Sequence, residues 1–145
     1  EVAHRMGLEA GDQVHFARRV RSYENAPFSL LTTYVPQDLG RRISRRDLGS
    51  KPLLPIFREL GVQIAGAEQS LSALLADPMC AEPLDVPVGS ALLRVRRTVR
   101  DVSGRVVEYL DALYRPDRYE YRMEMQAHDT PGSPTWLPCG VTASA

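Results

Sequence analysis

A chain of 145 residues, 43% hydrophobic and 25% charged, has the size and composition of one globular domain and not of a disordered or fibrous protein. Eighteen basic residues balance eighteen acidic ones, and a pI near 7.1 excludes the positive field by which a chain of this size would hold DNA unaided. No apolar run approaches the roughly eighteen residues of a membrane helix, and no charged and apolar pair of segments opens the chain as a secretory signal would. A cytoplasmic protein with two free thiols, Cys80 and Cys139, is therefore expected, since these cysteines have neither metal-ligand spacing nor the numbers of a disulfide framework. Lys51 is the only lysine, so the other seventeen basic residues are arginines. Codon usage in a GC-rich genome accounts for most of that bias. Arginine nevertheless offers a planar, bidentate grip on carboxylate and phosphate that lysine lacks.

In chain order, Val2 to Leu8 reads as a short helix closed by Gly11. Val14 to Tyr23 mixes β-branched, aromatic and basic residues and reads as a strand, followed by a turn at Asn25-Ala26-Pro27. Its alternation places Val14, Phe16, Arg18 and Val20 on one face, and Ala17, Arg19, Arg21 and Tyr23 on the other. Phe28 to Val35 pairs back as the second arm of a hairpin and stops at Pro36. The polar stretch 37–51 reads as a surface loop or short irregular helix. After Ser50 and Pro52, the residues Leu53, Leu54, Ile56, Phe57 and Leu60 fall at helical spacing until Gly61. Val62 to Ala76 fits a strand, and Asp77-Pro78 supplies the cap and first-turn proline of another short helix. Leu92 to Arg100 and Arg105 to Arg115 alternate on either side of Asp101-Val102-Ser103-Gly104, a hairpin. Pro116-Asp117-Arg118 turns into Tyr119 to Gln126, so three consecutive antiparallel strands are expected, with Met123 and Met125 packed in the core. The rest has no period. Residues 1–127 are thus expected to form the domain, and 128–145 a loosely ordered Pro/Gly-rich extension. Six strands with two or three short helices indicate an α+β domain on a central antiparallel sheet.

No glycine-rich phosphate loop, nucleophile elbow or zinc-helix motif is present, and the three histidines are scattered, so no catalytic or metal-ligating set emerges. What stands out is polarity on strand faces that burial would make apolar. Arg19 and Arg21 project to one side, their attachment points about 6 to 7 Å apart, and can converge on one anion. Val106, Glu108, Leu110, Ala112 and Tyr114 share a face of the fifth strand, so a carboxylate and a phenol look the same way. Either these groups form a structural bridge across the sheet, or they line a small-molecule site.

The order of motifs resembles the UTRA domain, the effector-binding half of HutC-type regulators of the GntR family. The resemblance runs through Leu8, Gly11, Arg19-Val20-Arg21, Tyr34-Val35-Pro36, Asp47-Leu48, Leu60-Gly61, Gly89 and Gly104-Arg105. It is most specific in Val107-Glu108-Tyr109 and Tyr114-Arg115-Pro116-Asp117-Arg118-Tyr119. It implies a chorismate-lyase-like fold, a homodimer and no cofactor. A preceding winged helix-turn-helix domain would contact operator DNA. The implied ligand is a small anionic metabolite, a sugar phosphate or a carboxylate, bound by Arg19, Arg21, Glu108 and Tyr114. Ser50 and Tyr34 complete the candidate set. Where phosphosugar-binding members carry a serine and a tyrosine at the mid-domain helix, this chain reads Ser50-Lys51-Pro52-Leu53-Leu54, without the tyrosine. A chorismate-lyase-like enzyme on the same fold, or a dimerisation domain without ligand, are the alternatives.

Overall fold

The alternating segments at Leu92–Arg100 and Arg105–Arg115 do form the middle of a sheet. The computed structural model describes residues 1–129 and 131–144. Its elements in chain order are α1 (Val2–Met6), β1 (Val14–Tyr23), β2 (Ala26–Pro36), α2 (Gln37–Gly40), α3 (Arg45–Ser50), α4 (Leu53–Glu59), β3 (Ile64–Leu75), α5 (Pro78–Leu84), β4 (Ala91–Asp101), β5 (Val106–Tyr114), β6 (Glu120–His128) and β7 (Thr135–Ser144). Five strands make one sheet in the order β1-β2-β5-β4-β3, every pair antiparallel, and β6 pairs with β7 in a separate two-stranded sheet.

Three strand expectations change. The expected β4–β5–β6 meander does not form, because β5 already spends one edge on β4 and the other on β2, through Ser29–Tyr34 against Tyr109–Tyr114. A strand has only two hydrogen-bonding edges. The chain turns away after Tyr114, and β6 takes as its partner β7, drawn from the segment expected to be a loose extension. Met123 and Met125 are consequently 40% and 51% exposed instead of buried. The first hairpin closes two residues early. Glu24 and Asn25 both adopt positive φ, 49° and 60°, as a two-residue turn matched to strand twist requires, and Pro27 lies inside β2.

Helices cover both faces of the sheet. On one, Leu39 of α2, Leu48 of α3, and Leu53 and Phe57 of α4 pack with Val35, Val99 and Val107. The stretch 37–51 therefore carries buried leucines within a polar sequence, and Ser44 caps α3 by accepting a hydrogen bond from the Asp47 amide at 3.0 Å. On the other face, α5 packs Cys80, Ala81 and Leu84 against Leu30 and Leu92, and Met6 of α1 packs beside Tyr109. Asp77 caps α5 through the Cys80 amide at 3.0 Å, as its Asp-Pro signature predicts.

Gly40 shows how closely α2 approaches β1. A Cβ there would stand 2.5 Å from His15 Cγ and 2.6 Å from His15 Cβ, atoms too near the backbone to swing aside. Gly40→Ala is expected to destabilise the fold by about 1–3 kcal/mol in urea titration, the usual range for overpacking. His15→Ala in the same chain keeps the offending Cβ, so only His15→Gly should recover stability. Recovery by His15→Ala would contradict this contact.

Candidate functional site

Alternate residues of β1 put Ala17, Arg19 and Arg21 on the face that α4 partly covers. There Ala17 packs on the core cluster, while the two arginines border a cavity of about 660 Å³. Leu31 and Thr33 of β2, Val95 and Val99 of β4, and Leu110 of β5 form its floor. Lys51 and Leu53 close one side, and Tyr119, just before β6, and Tyr121, within it, close another. The departure of β6 from the sheet is what brings these two tyrosines to the mouth. Tyr119 stacks on Tyr114 with ring centroids 3.8 Å apart, and burial and Tyr114 together raise the Tyr119 phenol to about 12.

A local irregularity lies just before Glu108 in β5. Val99 pairs with Glu108, whereas Arg100 pairs with Val106, so Val107 is an extra residue bulged from β5. Val107 joins the core under α4, and Val106 joins Met6 and Tyr109 on the opposite side. Strand parity from sequence put Val106 with Glu108. The bulge separates them by turning Val106 to the opposite side, while Glu108 keeps the face of Leu110 and Tyr114 that lines the cavity.

The electrostatics are one-sided. Arg19, Arg21, Lys51 and Arg97 line the cavity against a single carboxylate, Glu108. Outside the cavity several arginines are paired with acids: Arg94 with Asp111, Arg96 with Glu1, Arg105 with Asp38, Arg115 with Asp117 and Arg122 with Glu120. Lys51 is paired with Asp47 at 2.9 Å. Among the described residues Arg19, Arg21 and Arg97 have no acidic partner within 4.0 Å, and Glu108 has no basic one. Arg21 lies over the Phe28 ring, 5.1 Å from its centroid. Burial, and then Arg21, lower the Arg19 pKa. Burial raises that of Glu108, and the arginines Arg97 and Arg19 only partly oppose it.

That upward shift sets a pH dependence. A carboxyl harder to ionise in the fold than in the unfolded chain contributes stability below its ordinary value of 4.5, and this is lost as pH rises through its folded value. Glu108→Gln, which keeps the neutral form at every pH, is expected to raise the melting temperature at neutral pH. The gain should shrink to nothing as the pH falls below the ordinary glutamate range. A gain that instead grows on acidification would refute the assignment.

Of the six residues singled out from sequence, Arg19, Arg21, Glu108 and Tyr114 come together around this cavity. Tyr34 does not. It lies on the opposite face between Phe16 and Tyr109, with centroids 6.2 and 6.0 Å away. Ser50 ends α3 and donates its hydroxyl to the Arg46 carbonyl at 2.6 Å, and it is Lys51 that borders the cavity. Sequence reasoning missed Arg97 and Gln69. Arg97 was visible as an arginine in the series Leu93, Val95, Arg97, Val99, where parity calls for an apolar side chain. No helix is long and apolar enough to cross a membrane, and no cluster of metal-ligating residues occurs among the described residues.

Comparison with known proteins places this geometry in a family. Residues 1–120 match the model of the UTRA domain. Over 120 residues the chain is 32% identical to the HTH-type transcriptional regulator Rv0792c of Mycobacterium tuberculosis, covering 80% of this chain and 44% of that protein. It is 26% identical to the HTH-type transcriptional repressor NagR of Bacillus subtilis, covering 83% of this chain and 50% of that protein. The chain thus spans about half the length of the curated relatives it matches. Among solved structures, a ligand-binding domain assigned to the GntR family, from Bordetella bronchiseptica, superposes with a TM-score of 0.75 at 30% identity, covering 86% of this chain and 79% of that one.

Proposed function

The chain belongs to the UTRA family, the effector-binding domain of GntR-family transcription regulators, and on that premise we propose that its effector is a small anionic metabolite held in the cavity between β1 and β5. One observation carries the reading: three arginines, Arg19, Arg21 and Arg97, line one cavity without acidic partners and face a single carboxylate, Glu108. Arg19 and Arg21 would grip the anion from the edge strand by charge-assisted bonds, and Glu108 and Tyr114 would meet hydroxyl or amide groups of the remainder.

In this reading the domain works as a HutC-type sensor in the cytoplasm. It is not an enzyme, in keeping with relatives that are regulators. A winged helix-turn-helix domain in the longer protein reads operator DNA, and the neutral charge of this chain suits that division of labour. The functional unit is a homodimer, and the effector favours one arrangement of its two halves over another. Only an effector with different affinity for the two arrangements shifts operator binding. Titrating the operator affinity of the longer regulator with phosphorylated and carboxylated metabolites, before and after Arg19→Ala and Arg21→Ala, tests this. An effector response that persists in both variants would overturn it.

A further inference from the structure

We propose that the cavity is built for an effector carrying two anionic groups, a phosphoryl group at Arg19 and Arg21 and a carboxylate at Arg97, joined by a polar backbone that meets Glu108. The inference rests on the reading of the cavity as the effector site and adds the ligand class and Arg97 as the residue that selects it.

Arg97 lies far across the sheet from the β1 pair. The register runs Arg19, Leu31, Ala112, Val95 along one row and Ala17, Thr33, Leu110, Arg97 along the next. Three strand spacings therefore separate Arg97 from β1, about 14 Å of backbone. A single tetrahedral anion held at β1 leaves Arg97 unused. The two cationic ends face the same cavity, and Glu108, on the strand next to Arg97 and two residues further from the row of Arg19, faces it too.

The orientation of Arg97 defines what it can hold. Its Nε donates to Gln69 Oε1 at 2.9 Å, and Gln69 Nε2 donates to Tyr121 Oη at 3.0 Å. Gln69 is thereby fixed from both sides, and the side-on fork of Arg97, which needs Nε, is occupied. Its two terminal nitrogens have no acceptor among the described residues and present the end-on fork, whose two parallel N–H bonds match the two oxygens of a carboxylate. At β1, two guanidinium groups on one face suit the three oxygens of a phosphoryl group.

Charge leads to the same class. With Lys51 paired to Asp47, the cavity offers three unpaired positive charges. Against them stands the one carboxylate of Glu108, and an effector with a phosphoryl group and a carboxylate would bring an anion to each cationic end. Glu108 cannot sit beside either anion without repulsion, and it accepts hydrogen bonds from hydroxyl or ammonium groups between them. A phosphorylated polyhydroxy acid has this pattern.

The test compares 6-phosphogluconate with glucose 6-phosphate, two probes of similar size that differ in the carboxylate, by calorimetric titration of the 145-residue chain. The unsubstituted chain should bind 6-phosphogluconate at least about ten-fold more tightly, one charge-assisted fork being worth that much or more. Arg97→Gln should abolish the preference, weakening 6-phosphogluconate about ten-fold or more and glucose 6-phosphate much less, and Arg97→Lys should retain only part of it. Equal binding of the two probes by the unsubstituted chain overturns the two-anion inference. So does an equal loss for both in Arg97→Gln. Binding of either probe that survives the combined Arg19→Ala and Arg21→Ala substitution overturns the reading of the cavity instead.

Discussion

Phe57→Ala is expected to cost about 3–5 kcal/mol of unfolding free energy, the range for truncating a fully buried aromatic side chain. Phe57 is 0% exposed and lies among Val35, Leu39, Leu48, Leu53, Val99 and Val107, so its ring joins α2, α3 and α4 to the sheet. Helix α4 has seven residues, too few to be helical alone, and depends on this packing for its existence. A domain of this size commonly has about 5–15 kcal/mol in total, so roughly a fifth of the stability or more would be lost. The same ring borders the effector cavity, which truncation would enlarge. Phe57→Leu, which keeps most of the volume, should cost much less and serve for binding measurements. Urea unfolding at an unchanged m-value reads the difference. A loss in Phe57→Ala below about 1 kcal/mol would mean that α4 does not rest on the sheet as described.

What the sequence disclosed, and what it hid, follows from the range over which each signal acts. The β4–β5 hairpin was legible because alternation and an Asp-x-Ser-Gly turn are local, and Asp101 does accept hydrogen bonds from the Ser103 and Arg105 amides at 2.9 and 3.0 Å. The start of α5 was legible for the same reason. The partner of β6 was not, because Tyr119 to Gln126 carries the same alternation whether it extends the main sheet or leaves it. The choice depends on β2 having taken the second edge of β5, a pairing 75 to 85 residues away in sequence. The bulge at Val107 was hidden too, since Val-Val-Glu reads as unbroken alternation and only the partner strand shows the extra residue.

The site divides along the same line. Parity within β1 and within the later half of β5 placed Arg19, Arg21, Glu108 and Tyr114 toward one face, and the sheet order then made them neighbours of one cavity. Tyr34 came from motif order alone, without a parity argument. In β2 its neighbours Thr33 and Val35 point toward the α4 side, which turns Tyr34 to the other. Tyr119 and Tyr121 share the alternation of Met123 and Met125, which points to the core, and the turn after Tyr114 brings the two tyrosines to the cavity instead.

Removing either arginine of β1 should weaken binding of a phosphorylated probe about 10- to 100-fold, the effect of losing a charge-assisted contact. Arg19 and Arg21 are proposed to hold the same anion, so the double substitution should fall short of the product of the two single effects. Arg19→Lys tests geometry apart from charge, because an ammonium keeps the attraction and loses the fork, and its affinity should fall between those of Arg19 and Arg19→Ala. The empty protein should respond the other way. Burial and the adjacent Arg21 both disfavour the Arg19 charge, so Arg19→Ala removes a group the fold holds at a disadvantage, and unliganded thermal stability should hold steady or rise. The stabilisation by ligand, about 2.7 kcal/mol at a concentration one hundred times Kd, should meanwhile fall to about 0.4–1.4 kcal/mol at the same probe concentration. A residue kept for folding would lose stability with and without ligand. Opposite signs in the two states are what a binding arginine predicts, and a parallel loss in both would return Arg19 to a structural role.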